Sequence, residues 1–143
     1  MNGATAFTAA GLVLALAAAA FGLYLWSTGR AAIAPIGMIA VLVFLALTLV
    51  GRMPIQRLNM AAPLSPERLE KLEPMIRAHL ASLTALTVAL FAWMEVAAAF
   101  TWLRPYLWVS WFFVVAILLS LFSMLTRVGR ETAGEEPERP WNP

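Results

Sequence analysis

The stretch FAWMEVAAAF, residues 91–100, holds the one acid of this chain that could do chemistry inside an apolar environment. Glu95 is flanked by aromatic, Met, Val and Ala side chains, and no other charged residue lies as deep within a long apolar run. A carboxyl group in such a place can exchange a proton for a cation, or it can hold neighbouring helices together through a polar contact. The elements around Glu95 decide between these uses.

Outside this stretch, the residue types that catalysis usually needs are scarce. The chain has no Cys and no Asp, and His79 is its only histidine. A thiolate metal site and a Ser-His-Asp triad therefore lack members, and neither an HExxH pattern nor a phosphate-binding glycine loop is present. His79 is expected to pair with a headgroup or a loop carboxylate rather than to bind a metal. We therefore predict a protein that is not an enzyme, with no catalytic residue, no metal and no cofactor.

The composition is typical of a membrane protein. Of the 143 residues, 62% are hydrophobic and 13% are charged, whereas a soluble domain is about half apolar and about a quarter charged. The mean hydropathy is +0.79. The net charge of +2 does not indicate a nucleic-acid-binding protein, because the arginines flank apolar runs and form no separate basic surface.

Four apolar runs are each long enough to cross a bilayer core about 30 Å thick, which needs about 20 helical residues. They cover approximately residues 7–26, 33–50, 79–102 and 106–126. Each is predicted to be a helix, because the backbone must satisfy its own hydrogen bonds in lipid and because the runs do not alternate. The first run is expected to be retained, since MNGATAF lacks the positive charge of a signal peptide. Short connections predict two antiparallel hairpins, so residues 1–126 form an all-α transmembrane domain.

The charge distribution predicts the orientation. Of the ten Lys and Arg residues, Arg30 and Arg104 lie in the two short connections, and the other eight lie in the loop 51–78 or after residue 126. With four spans, this loop and both termini share one side. By the positive-inside rule that side is the cytoplasm, so we expect a multi-pass protein of a bacterial inner membrane. Six aromatic residues are expected to anchor the opposite face at the headgroup level: Tyr24, Trp26, Trp102, Tyr106, Trp108 and Trp111.

The segment 64–80 of the cytoplasmic loop predicts a short amphipathic helix that leads into the third span. Ser65 can cap it, and Leu69, Leu72 and Ile76 recur at helical spacing. Acid-before-base pairs at i,i+4 support it, whereas Pro74 is expected to kink or interrupt it. The segment is either a connector on the headgroups or a docking surface for a protein partner. Residues 127–143 are polar and proline-rich and are predicted to be a disordered cytoplasmic tail.

Small residues predict where the first span packs. Gly11 and Ala15, and then Ala18 and Gly22, are each spaced at i,i+4. Small side chains let helix backbones approach closely, and lipid provides no hydrophobic force that drives helices together. We therefore expect the first span to be central, packed against another helix of this chain or of a second copy in a homo-oligomer.

The helix face of Glu95 is small or aromatic and is therefore suited to a contact between helices. It comprises Thr84, Val88, Phe91, Ala92, Ala98, Ala99 and Trp102. Arg30 and Arg104 lie on the same outer side and are the candidate partners of the carboxyl group. Three hypotheses stay open: a structural contact that fixes helix register, a contact with a subunit of a larger complex, and a titratable carrier of protons.

The carrier hypothesis has a parallel in the small four-span multidrug exporters, which resemble this chain in size and span count. Their essential acid lies in the first span, and the first span here contains none. A carrier also needs several polar groups along a path, and this chain offers few.

Residues 59–96, NMAAPLSPERLEKLEPMIRAHLASLTALTVALFAWMEV, resemble a segment of small bacterial membrane proteins of unknown function near the SdpI-like immunity family. In those proteins an Asn…Pro loop and a charged helix precede a span that ends in a similar aliphatic-aromatic-acid pattern. The resemblance covers about a quarter of the chain, and the His-Phe-Asn stretch expected upstream is missing. No functional residue is carried over from it.

These observations together predict a four-helix integral membrane protein that is not catalytic. We expect an accessory or interaction subunit of a membrane complex or of a homo-oligomer, with the lipid bilayer as its surroundings. A protein partner would bind through the membrane helices or through the segment 64–80. The alternative is a small proton-coupled transporter that uses Glu95.

Overall fold

The computed structural model describes residues 3–54 and 66–133. Over these ranges the chain is helical and contains no strand. The α-helices are α1 (Gly3–Ser27), α2 (Pro35–Arg52), α3 (Pro66–Ala99) and α4 (Ser110–Ala133), and a 3-10 helix (Thr101–Val109) joins α3 to α4. Four helices are long and apolar enough to cross a membrane. The prediction of an all-α chain with four such helices is therefore confirmed, and they indicate a multi-pass membrane protein.

A glycine turn ends α1 and places the residue that follows it. Gly29 has a φ of +82°, a left-handed conformation that glycine adopts at little cost. Its N–H donates to the Trp26 carbonyl at 3.1 Å, and the Arg30 N–H donates to the Leu25 carbonyl at 2.8 Å. This pair of bonds is a Schellman motif, which satisfies carbonyls at the helix end. The chain then turns directly into α2, whose first residue is Pro35.

The core lies where α1, α2 and α3 pack against one another. One residue from each helix, Ala15, Phe44 and Val88, forms a buried apolar cluster. Gly11, Ala15, Ala18 and Gly22 are all buried in α1. The small residues of the first span therefore face other helices of this chain, but α1 is not central: α3 contacts α1, α2 and α4, whereas α1 packs against α2 and α3.

Helix α3 is longer than expected and includes the predicted amphipathic segment. It runs without interruption from Pro66 to Ala99, whereas a separate short helix that Pro74 kinks or interrupts was predicted. The prediction of a separate helix is wrong. Arg77 forms an ion pair with Glu73 across the proline turn, with its Nε 2.8 Å and its Nη2 2.5 Å from Glu73 Oε1. At 34 residues the helix is about 51 Å long, which exceeds the thickness of a bilayer core.

The first half of α3 packs against α4. Leu72 and Ile76 are buried, and Met124 and Val128 of α4 pack against them. These leucine and isoleucine side chains are thus covered within the chain. The predicted N-cap residue, Ser65, lies outside the described residues, as does the side chain of Leu69.

Helix α4 is peripheral and continues past its predicted end. It contacts α3 and the 3-10 helix, and none of its described side chains is fully buried. It ends at Ala133 rather than at residue 126. The predicted disordered tail therefore begins as helix, and residues 134–143 lie outside the described part of the chain.

The connection between α3 and α4 differs from the predicted five-residue link. The α-helix ends at Ala99, and Phe100 adopts an extended conformation with φ −106° and ψ 116°. The chain then forms the 3-10 helix that contains Trp102 and Tyr106, which were predicted to lie at the ends of spans. Pro105 has no N–H and therefore cannot donate to the Thr101 carbonyl, as a continuing α-helix would require.

Candidate functional site

Glu95 lies at the point where α1, α2 and α3 meet. Its relative exposure is 0%, which makes it one of the most completely buried large side chains among the described residues. Neither carboxyl oxygen forms a hydrogen bond of acceptable geometry. A buried polar group without a partner is uncommon and costly, so the position of this acid calls for an explanation.

Two glycines on the other helices make room for the carboxyl group. A Cβ atom placed on Gly22 of α1 would lie 2.9 Å from Glu95 Oε1, and one placed on Gly37 of α2 would lie 2.7 Å from the same oxygen. The two glycines also allow close backbone approach. A Cβ on Gly22 would lie 2.9 Å from the carbonyl oxygen of Ala34, and a Cβ on Gly37 would clash with the carbonyl oxygen of Ala18. Any larger residue at either position would displace the carboxyl group or separate the helices.

Two helix dipoles act on the Glu95 carboxyl group, and only that of α2 favours its negative charge. Glu95 precedes the end of α3 at Ala99 by one turn, where the helix dipole places partial negative charge. Gly37 is in the first turn of α2, where the backbone N–H groups lack acceptors within the helix and the dipole is positive. The carboxyl group thus lies against the favourable end of a neighbouring helix.

The predicted ion pair between Glu95 and an outer arginine is not formed. Arg30 Nη1 instead donates to the carbonyl oxygen of Ala99 at 2.5 Å. The physical reason is the turn at Gly29, which carries Arg30 to the C-terminus of α3, where carbonyls lack helical partners. Arg104 lies in the 3-10 helix and is exposed. Arg30 therefore caps α3 and does not neutralise Glu95.

The residues predicted to share a helix face with Glu95 differ in burial. Thr84, Val88 and Ala99 are buried, and Phe91, Ala92 and Ala98 are partly buried. Trp102 is 69% exposed, because the α-helix ends before it. Thr84 donates its hydroxyl proton to the Leu80 carbonyl at 2.8 Å, so it is satisfied within its own helix.

The opposite end of the bundle contains a second arginine that caps a helix. Arg77 Nη1 donates to the Gly51 carbonyl in the last turn of α2 at 2.8 Å, in addition to its ion pair with Glu73. His79 Nδ1 lies 2.9 Å from the Met75 carbonyl of its own helix, and its pairing with a headgroup or a loop carboxylate stays a prediction. Arg77 and Arg30 therefore tie α3 to the preceding helices at both ends.

Gly37 and Ala34 were missed in the sequence because α2 was treated only as an apolar span. A signal was present: a proline that starts a helix is followed by Gly37 and then Ala40, which is 0% exposed. Small residues at this spacing let helices approach closely. The capping role of Arg77 had no comparable signal, since its acceptor lies on a different helix.

Comparison with known proteins assigns this chain to no family. No protein-family model matches the chain, and no curated protein or solved structure matches it significantly. The resemblance of residues 59–96 to proteins near the SdpI-like immunity family therefore stays a prediction.

Proposed function

We propose that this chain is a small, non-catalytic integral membrane protein that acts as an accessory or interaction subunit. The observation that favours a structural role over transport is the enclosure of Glu95. Its carboxyl group is 0% exposed and lies against two glycines of the neighbouring helices. An acid enclosed in this way serves the contact between helices, since a carrier group must be reached from both sides of the membrane.

The proposed arrangement is two antiparallel hairpins, α1 with α2 and α3 with α4, in a bacterial inner membrane with both termini in the cytoplasm. The contacts support it: Gly22 meets Ala34 near the turn between α1 and α2, and Gly11 meets Phe44 farther away from that turn. The exposure of all six predicted anchoring aromatics, which lie near the ends where α1 and α3 finish and α4 begins, supports the outer interface.

The structural role of Glu95 is tested by Glu95→Gln. A carboxamide has nearly the same shape, but it loses the interaction with the positive end of α2 and brings a buried NH2 group without an acceptor. We expect the free energy of unfolding to fall by about 1–2 kcal/mol, measured as a lower melting temperature in detergent. Glu70→Gln is the matched control, because Glu70 is exposed on the same helix. An unchanged melting curve for Glu95→Gln would count against the structural role.

The alternative function is proton-coupled transport through Glu95. It is favoured by one observation, that both carboxyl oxygens lack a hydrogen-bond partner, as expected of a group that awaits a proton or a cation. Purified protein in vesicles with an imposed pH gradient tests it. If Glu95→Gln abolishes a proton-dependent flux while the protein still folds, transport replaces the structural proposal. A flux that persists in Glu95→Gln excludes this acid as the carrier.

The interaction role is tested on the protein as it exists in its own membrane. Extraction into lipid nanodiscs and native mass measurement should give an assembly heavier than the 15.6 kDa chain, either a homo-oligomer or a complex with another protein. A monomer over the whole accessible concentration range would contradict the proposal that this chain is a subunit.

A further inference from the structure

A cavity of about 310 Å³ lies between α1, α2 and α3 at the end of the bundle far from Glu95. Its volume falls at the lower end of the range of small-molecule pockets, roughly 300–1,000 Å³. Its lining combines the guanidinium-bearing residues Arg52 and Arg77 with threonines from all three helices and with aliphatic side chains such as Leu47 and Leu80. No acidic residue is among the residues that line it.

The hydrogen-bonding groups of this cavity are of two kinds. Arg77 is fixed by its bonds to Glu73 and to the Gly51 carbonyl, so it is held in place beside the cavity. Arg52 is exposed, and its guanidinium group forms no hydrogen bond or ion pair with any described residue. Glu73 balances the charge of Arg77, whose guanidinium keeps two of its five N–H groups unused by these bonds. Arg52 therefore supplies the unpaired positive charge for an anion, and planar guanidinium groups suit phosphate oxygens.

The threonine hydroxyls of the cavity are also of two kinds, those that donate within their own helix and those that do not. Thr8 and Thr84 donate to carbonyls of their own helices, Ala4 and Leu80. Thr5 and Thr48 form no such bond within the part of the chain that the structure describes, and both line the cavity. Their hydroxyl groups are therefore available as donors beside Arg52.

The place of the cavity along the bundle suits a headgroup. It lies where α1 begins and α2 ends, and α3 continues beyond Arg77 toward Pro66 for roughly 16 Å. Charged residues at this level meet the phosphate layer of a bilayer. Basic pockets between membrane helices on the cytoplasmic side commonly hold anionic headgroups.

We propose that this cavity binds a phosphate group, carried by an anionic membrane phospholipid or by a free anion, through Arg52, Arg77, Thr5 and Thr48. The proposal rests on insertion in a membrane as proposed above, and it does not depend on the role of Glu95.

The test compares the melting temperature of the purified full chain in nanodiscs of phosphatidylcholine alone and of phosphatidylcholine with phosphatidylglycerol. Inorganic phosphate added to the phosphatidylcholine sample is the third arm. We expect phosphatidylglycerol to raise the melting temperature, and Arg52→Gln to weaken lipid binding by about tenfold, measured by native mass spectrometry. Thr48→Val should weaken it less, since it removes one neutral hydroxyl.

Arg127→Gln is the matched control, because Arg127 is an exposed arginine of α4 at the same end of the bundle and does not line the cavity. It should retain the binding of phosphatidylglycerol. A response to inorganic phosphate that equals the lipid response, and that Arg52→Gln abolishes, supports the site with a free anion as its ligand.

Two results would overturn the proposal. One is that neither phosphatidylglycerol nor inorganic phosphate shifts the melting temperature. The other is that Arg127→Gln weakens binding as much as Arg52→Gln, which would assign the effect to the general charge of the membrane surface. Because Arg52 is exposed, Arg52→Gln should have the melting temperature of the unmodified protein in phosphatidylcholine alone. A failure of this proposal is therefore separate from a failure of the Glu95 experiment.

Discussion

At the scale of single residues, the candidate site depends on two glycines, which have no Cβ atom. Gly22 and Gly37 have no Cβ, and the space that a Cβ would take is occupied by Glu95 Oε1 and by backbone carbonyl oxygens. The carboxyl group and the close helix approach therefore need the same glycines. This coupling explains how the Glu95 side chain fits between three closely packed helices.

The glycine positions give an ordered set of expected stabilities. Gly37→Ala should cost the most, about 2–3 kcal/mol, because its Cβ would meet the Ala18 carbonyl, which belongs to a helix backbone and cannot move aside. Gly22→Ala should cost less, and Gly11→Ala least, since the Cβ on Gly11 would lie 3.3 Å from the edge of the Phe44 ring, which can shift. Equilibrium unfolding in mixed detergent micelles measures the order.

The control for this series is Gly129→Ala in α4. A Cβ at Gly129 would meet nothing within 4 Å. The substitution should therefore be neutral or stabilise the protein by about 0.5–1 kcal/mol, because an unfolded chain with alanine loses less backbone entropy on folding than one with glycine. If Gly37→Ala were as stable as the unmodified protein, the close contact of α1, α2 and Glu95 would be wrong.

At the scale of the elements, the ends of the helices are joined by arginines. Arg30 binds the last turn of α3, and Arg77 binds the last turn of α2. In each case a cation meets the negative end of a helix dipole. The bundle is thus linked at both ends by side chains from a different element.

We expect Arg30→Gln to loosen the end of α3. The bond to Ala99 comes from a charged donor, but Arg30 is exposed, so its loss should cost about 1 kcal/mol. The readout is faster amide hydrogen exchange at Phe100, whose N–H donates to the Val96 carbonyl in this same turn. Arg104→Gln, an equal change of charge at an exposed position of the 3-10 helix, should leave this exchange unchanged. Equal acceleration in both variants would contradict the capping role.

The turn that delivers Arg30 depends on the left-handed backbone at Gly29. Gly29→Ala should destabilise the protein by about 1–2 kcal/mol, because an L-residue with a Cβ is strained at φ +82°. Gly29→Asn should cost less, since asparagine tolerates this conformation. Melting temperatures in detergent test the order, and equal stability of the alanine and asparagine variants would argue against a strained turn.

Sequence patterns predict these elements to different degrees. The four apolar helices and the small residues of α1 follow from hydropathy and spacing, because both signals are local. The continuity of α3 across Pro74 does not, since the contacts that favour it include the packing of Leu72 and Ile76 against Met124 and Val128 of α4. These two residues lie more than 40 positions away in the sequence. The position of Arg30 at Ala99 likewise needs the three-dimensional path of the turn at Gly29.

At the scale of the whole molecule, the two polar sites lie at opposite ends of one three-helix core. Glu95 lies near the turn between α1 and α2, and the cavity with Arg52 lies where α1 begins and α2 ends. Helix α4 stays at the periphery, with large apolar residues such as Trp111, Phe112 and Phe122 exposed. In a membrane these side chains suit contact with lipid.

The proposed orientation assigns these two ends to different sides of the membrane, and this is directly testable. The chain has no cysteine, so a single introduced thiol reports its own position. Thr28→Cys lies in the exposed turn after α1, and Met53→Cys lies in the exposed segment after α2. In intact cells a membrane-impermeant maleimide should label the thiol at position 28 and leave position 53 unlabelled until the membrane is permeabilised. The reason is the charge asymmetry, in which eight of the ten Lys and Arg residues lie on the side of position 53. The opposite labelling pattern would invert the orientation and place the proposed phosphate site in the outer leaflet. Labelling of both positions in intact cells would contradict the insertion of α2 as a span.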